Sequence, residues 1–121
     1  MPPSAASPLR VSRSDDGRVV RLILSGELDI STATSLELEL QAAELRRPPV
    51  LVLDLAHLHF MGVSGLRSIL DAARRARRDG RYFVVTNPVP HISRLFELTA
   101  IDQSLELHRG SLQLATDGAP V

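Results

Sequence analysis

The sequence predicts an α/β domain on a mixed β-sheet, an N-terminal hairpin followed by parallel βα units, with the helices packed mainly on one face. Two observations carry this reading. From residue 50 onward, strand-like runs alternate with helix-like runs, which requires crossovers and therefore parallel pairing. Ahead of them, Ser14-Asp15-Asp16-Gly17 separates two short runs of strand character, the pattern of a hairpin turn. Crossovers of one hand with no reversal of strand order put the helices on one side of the sheet.

Each element follows from local chemistry. Residues 1–8 hold three of the eight prolines among small residues and are expected to be a disordered leader. The domain is expected to run over 9–115, with 116–121 as a flexible tail. Arg10 to Ser12 starts a short strand, and Val19 to Ser25 alternates with Val20, Leu22 and Leu24 on one face. Gly26-Glu27-Leu28-Asp29 reads as a strand break. Ser31 and Thr32 offer N-caps to a helix over Ala33 to Leu45, with Leu36, Leu40, Ala43 and Leu45 inward and Glu37, Glu39 and Glu44 outward. Pro48-Pro49 stops it.

Val50 to Leu55 is a continuous β-branched and leucine run, the mark of a covered central strand. After the turn Phe60-Met61-Gly62-Val63-Ser64-Gly65, a helix is predicted over Ser64 to Asp79, with Leu66, Ile69, Leu70, Ala73 and Ala76 inward and Gly80 as C-terminal cap. Tyr82 to Val85 is a strand, His91 to Leu98 a short helix, and Leu105 to Leu107 a last strand. Residues 109–121 are weakly patterned, with one helical turn expected at Ser111 to Ala115.

Composition excludes several functions. There is no cysteine, so disulfides, thiolate nucleophiles and cysteine-bound zinc are ruled out. No two of the four histidines stand at the i, i+4 spacing of a helical metal site, and His57 and His59 read as structural or solvated. Basic and acidic residues balance at 14 each, removing the bulk attraction to nucleic acid. Aromatics are only 3%, too few for a base-stacking platform. No apolar run approaches the roughly 18 residues of a membrane span, and the first residues lack the basic and apolar regions of a signal peptide. Neither membrane insertion nor a cofactor is expected, and the address expected by default is cytoplasmic.

The sequence holds no recognisable set of convergent catalytic groups. Gly62-Val63-Ser64-Gly65 is one residue short of a nucleophile elbow. All 14 basic residues are arginines, so a Walker lysine and Schiff-base chemistry are both excluded. Glu27, Asp29 and Asp54 stand at expected strand ends, where turn and capping roles explain them as well as catalysis does. The turn at 60–65 lies where open α/β sheets place their ligands, and a helix start there favours an anion. Spacing alone favours a plainer role, in which Ser64 caps its own helix and the glycines make the turn. Arg67, Arg74 and Arg78 share one helix face, for which a solvated, salt-bridged surface is expected, with Asp71 placed to pair with Arg74 and Arg75.

Four stretches together carry a family pattern: Gly26-Glu27-Leu28-Asp29, Val50 to Leu55, Phe60-Met61 with Ser64-Gly65-Leu66, and Asn87-Pro88 through Arg94-Leu95-Phe96-Glu97-Leu98-Thr99. In this order they resemble the STAS domain, in particular the bacterial anti-sigma factor antagonists, over about residues 9 to 108. The resemblance implies a STAS-like mixed sheet and a non-enzymatic regulatory adaptor that acts by partner switching. Its partner would be an anti-sigma factor with a kinase-like ATPase fold, which phosphorylates the antagonist at the helix start and so ends binding. The family turn reads Asp-Ser-Ser-Gly or Asp-Ser-Thr-Gly, with the first hydroxyl residue as acceptor. Here Gly62 stands for the aspartate and Val63 for that acceptor, while Ser64 matches the second hydroxyl position and is the remaining candidate for phosphorylation. The partner surface implied is Glu27, Asp29, Gly62, Val63, Ser64 and Arg67. Two alternatives stand beside it: a soluble STAS subunit docking on an ABC-type lipid transport ATPase, and a nucleotide-binding or enzymatic domain using the helix start for phosphate.

Overall fold

The computed structural model describes residues 8–99 and 106–108. The predicted leader, the helical turn at Ser111 to Ala115 and the tail fall outside these residues, apart from Pro8. Five strands and three helices follow in the order β1 (Arg10–Asp15), β2 (Val19–Leu28), α1 (Ala33–Leu45), β3 (Val50–Met61), α2 (Val63–Arg78), β4 (Tyr82–Thr86), α3 (Pro90–Thr99) and β5 (Glu106–His108).

The hairpin of β1 and β2 is antiparallel, with Asp15 opposite Val20. Its turn is held by carboxylates: Asp15 accepts from the Gly17 N–H at 2.8 Å, and Asp16 from the N–H groups of Arg18 at 2.9 Å and Val19 at 2.8 Å. Gly17 takes a φ of +93°, which a side chain would resist. Strands β2, β3, β4 and β5 then pair in parallel, and the sheet order β1-β2-β3-β4-β5 contains no reversal.

All three helices feed one core. Leu36, Leu40 and Ala43 of α1, Leu66, Ile69, Ala72, Ala73 and Ala76 of α2, and Ile92 and Phe96 of α3 pack on the same sheet face as Leu22, Leu53 and Val85. The opposite face has a small satellite cluster of Val50, Val52 and Val84. Helices on one face are thus what the unreversed strand order produces.

Several local expectations are corrected. Gly26 does not end its strand: at φ +95° it sits at a register shift between β2 and β3, and β2 continues to Leu28. Strand β3 runs past Leu55 to Met61. Opposite Ile23 and Ser25 stand Asp54 and His57, and opposite Gly26 and Glu27 stand Leu58 and Phe60, so β3 carries an extra residue at two places. Those irregularities bring Leu55, Leu58 and Met61 inward at a spacing of three rather than two. Leu45, expected inward, is 84% exposed, and Leu70 is only partly buried. Gly80 closes α2 as predicted, at φ +73°: its N–H donates to Arg77 O at 3.2 Å and that of Arg81 to Ala76 O at 2.8 Å, the paired bonds of a Schellman motif.

Side chains lock α1 to α2. The buried Ser68 hydroxyl donates to Glu37 Oε2 at 2.8 Å. Arg75 grips Glu44 through Nε at 3.1 Å to Oε1 and Nη2 at 2.9 Å to Oε2. Glu44 is therefore half-buried against α2, while Glu37 reaches Ser68 and stays exposed, as predicted. Arg75 goes to Glu44 and not to Asp71, which pairs with Arg74 at 3.3 Å as expected.

Candidate functional site at the β3–α2 turn

The site forms where β2 and β3 end side by side. Leu28 O accepts from the Gly62 N–H at 2.8 Å, which fixes the start of α2 against the end of β2. Gly65 makes this approach possible, because a Cβ there would collide with the Leu28 side chain, coming within 2.6 Å of Cδ2. Leu28 is fully buried and cannot swing aside freely.

The N-terminus of α2 carries no side-chain cap. Gly62 occupies the N-cap position in extended conformation, and Val63, Ser64 and Gly65 form the first turn. Their N–H groups lack intrahelical acceptors, and no acidic residue stands in that turn to offset the positive end of the helix dipole. Ser64 therefore does not cap its helix, contrary to the expectation from spacing. It lies two residues past the N-cap, and its carbonyl accepts from Ser68 Oγ at 3.1 Å.

Asp29 has a defined local task. Its Oδ1 accepts from Ser31 Oγ at 2.6 Å and from the N–H groups of Ser31 at 2.9 Å and Thr32 at 3.2 Å. In return the Asp29 N–H donates to Thr32 Oγ1 at 2.9 Å. This reciprocal pair closes the turn that leads into α1, whose N-cap position is taken by Thr32, as expected, with no side-chain bond to the helix. The Ser31 hydroxyl, ahead of the other donors, holds the Asp29 carboxyl below its ordinary value of 3.8. Asp29 also borders the turn, since a Cβ on Gly62 would stand 3.8 Å from Asp29 Cα.

The remaining predicted residues are placed as follows. Val63 is 73% exposed at the first position of α2. Arg67 is exposed one helical turn further along. Glu27 is half-buried opposite Phe60, and its carbonyl accepts from Thr32 Oγ1 at 3.2 Å. Glu27, Asp29 and Asp54 do not converge. Asp54 lies six residues before Phe60 along β3, roughly 20 Å away at strand rise, and faces Arg21 at 3.9 Å. Among the described residues no group of histidines and carboxylates is arranged to hold a metal ion.

Two exposed apolar residues outside the predicted surface stand next to its members in the chain. Ile30, beside Asp29, is 82% exposed, and Phe60 is 47% exposed. With Val63 they give the turn an apolar character. A signal for Ile30 was present: it stands in the turn ahead of α1, outside the helical period. His91 Nε2 donates to His59 O at 2.9 Å and ties the start of α3 to the exit of β3, while His57 and His59 are exposed.

A mixed sheet with all three helices on one face and a central strand-to-helix turn has the architecture of a STAS domain. The family model described as "Mlab, STAS domain" matches residues 11–113, and the chain belongs to the STAS domain family. Its relatives include the anti-sigma-F factor antagonist RsfB of Mycobacterium tuberculosis, 29% identical over 82 residues, covering 68% of this chain and 67% of RsfB. The crystal structure of an anti-sigma factor antagonist from Mycobacterium paratuberculosis superposes with a TM-score of 0.75 at 29% identity, covering 83% of this chain and 85% of that one. The fold is shared with the phosphorylated form of SpoIIAA, a Bacillus cell fate determinant, at a TM-score of 0.65 and 18% identity, covering 82% and 89% of the two chains. The named relative and the solved structures it resembles are anti-sigma factor antagonists. No helix among the described residues is long and apolar enough to cross a membrane.

Proposed function

We propose that this chain is a non-enzymatic, cytoplasmic anti-sigma factor antagonist that docks a kinase-like anti-sigma factor through the Phe60–Gly65 turn and is not switched by phosphorylation at the usual position. One observation carries the reading: Val63, the residue aligned with the family's acceptor, is 73% exposed at the tip of the turn and has no hydroxyl. An exposed valine, with exposed Ile30 and Phe60 on the adjoining segments, supplies apolar area for a partner to cover. A phosphoryl group would have brought about −1.5 to −2 charges into that surface. Glu27, Asp29, Gly62, Ser64 and Arg67 complete the docking surface. Asp29 acts mainly by shaping its loop, and Arg67 offers a cation one turn along.

The test pairs this protein with its anti-sigma factor in titration calorimetry, with and without magnesium-ATP preincubation. The wild type is expected to bind equally well after both treatments. Val63→Ser should bind at first and lose at least tenfold in affinity after ATP treatment, with phosphate found on the new serine. Phosphate on Ser64 of the wild type, with loss of binding, would refute the reading. The missing hydroxyl also favours a second arrangement that needs no phosphoserine, docking on an ABC-type transport ATPase. Binding to that ATPase, with none to any anti-sigma factor, would select it.

A further inference from the structure

Helix α1 is apolar on two opposite faces. Leu36, Leu40 and Ala43 enter the core, while Leu38 is 62% exposed and Leu45 84% exposed, with Ala42 exposed between them. At 3.6 residues per turn, Leu38, Ala42 and Leu45 lie within about 60° of one another, roughly opposite the core residues. The helix cannot roll to bury them. Glu37 and Glu44 hold one flank to Ser68 and Arg75 of α2, and Arg46 Nη1 holds the other end to Asp15 Oδ2 of β1 at 3.0 Å.

We propose that this outward face of α1 is a self-association surface on which a second copy of the chain packs antiparallel about a two-fold axis. The stripe complements itself in that orientation. Leu38 meets Leu45 of the second copy, and the small Ala42 with Gln41 lies at the centre, where the helices approach most closely. On the β1 flank, Glu39 of one copy comes level with Arg46 of the other. A two-fold contact makes each such pair twice. Arg46 keeps 54% of its side chain exposed beside Asp15, which leaves its guanidinium room for a second carboxylate.

The helix is about 20 Å long, so one helix pair buries less than the roughly 800 Å² per partner of a standard interface. The dimer is therefore weak and concentration-dependent, with a dissociation constant between about 10 µM and 1 mM. The stripe begins six helical residues into α1 and leaves the β3–α2 turn uncovered, so the proposal stands independently of the docking role of that turn.

Sedimentation velocity of the full chain from about 10 µM to 1 mM tests it. The weight-average mass is expected to rise from 13.2 kDa toward twice that value. Leu38→Glu and Leu45→Glu, both at exposed positions, should each weaken association at least tenfold with an unchanged circular dichroism spectrum. Glu39→Arg alone and Arg46→Glu alone should weaken it, and the double variant should recover it. A wild type that stays monomeric at 1 mM overturns the proposal. So does a dimer indifferent to Leu38→Glu, which would place the contact on another face.

Discussion

Asp29 carries two pieces of local chemistry, closing the turn that leads into α1 and lining the turn where α2 begins. Its carboxyl is held below 3.8 by its hydroxyl and N–H donors, chiefly the Ser31 hydroxyl, and so gains protons less readily folded than unfolded. Stability from this source is fully present above the ordinary value and is lost as pH falls through the folded one. Asp16 in the hairpin turn adds the same sign, its carboxyl lowered first by the Val19 N–H. Urea midpoints of Asp29→Asn and the wild type are expected to converge as pH falls below about 4, because the variant keeps an acceptor oxygen for the turn but has no proton to gain. Gly65 is the other residue whose identity the fold dictates. Gly65→Ala drives a Cβ into Leu28 and should cost about 1–3 kcal/mol in urea unfolding, despite the better helix propensity of alanine. Gly62 is different, because a Cβ there meets only ordinary contacts, the nearest being the Phe60 ring at 3.6 Å. An aspartate, the family residue, would fit and supply the missing cap.

At the scale of elements, the helices were legible because their punctuation is local. The bounds of α1 match the expected Ala33 to Leu45, and α2 ends at the glycine that closes its Schellman motif. Strand β3 was legible only as far as Leu55, because the inward residues beyond it are spaced by three. That spacing makes sense only with the register shifts against β2 in view. The same irregularities hid the continuation of β2 through Gly26. The grip between α1 and α2 was equally hidden, since Glu44 and Arg75 are 31 residues apart. This pair is bidentate and half-buried, with side chains 17% and 34% exposed. A double-mutant cycle of Glu44→Gln and Arg75→Gln should give a coupling of about 0.5–1 kcal/mol that shrinks in high salt.

For the whole molecule, the unreversed strand order commits all three helices to one face, and the core is accordingly a single layer between helices and sheet. Phe96 of α3 is the largest fully buried side chain in it. Phe96→Ala should lower stability by about 3–5 kcal/mol, read as a reduced urea midpoint, because a one-layer core has little material to refill the void. The sequence by itself determined the α/β class, the hairpin, the helix bounds and the absence of a hydroxyl at Val63, since each depends on residue chemistry or on periods within one segment. Only the tertiary structure decided that Gly65 must admit Leu28, that Asp29 borders the start of α2, that the Phe60 ring lies beside Gly62, and that Leu45 faces outward. These depend on contacts between segments brought together by the parallel crossovers, and no local period encodes such a contact.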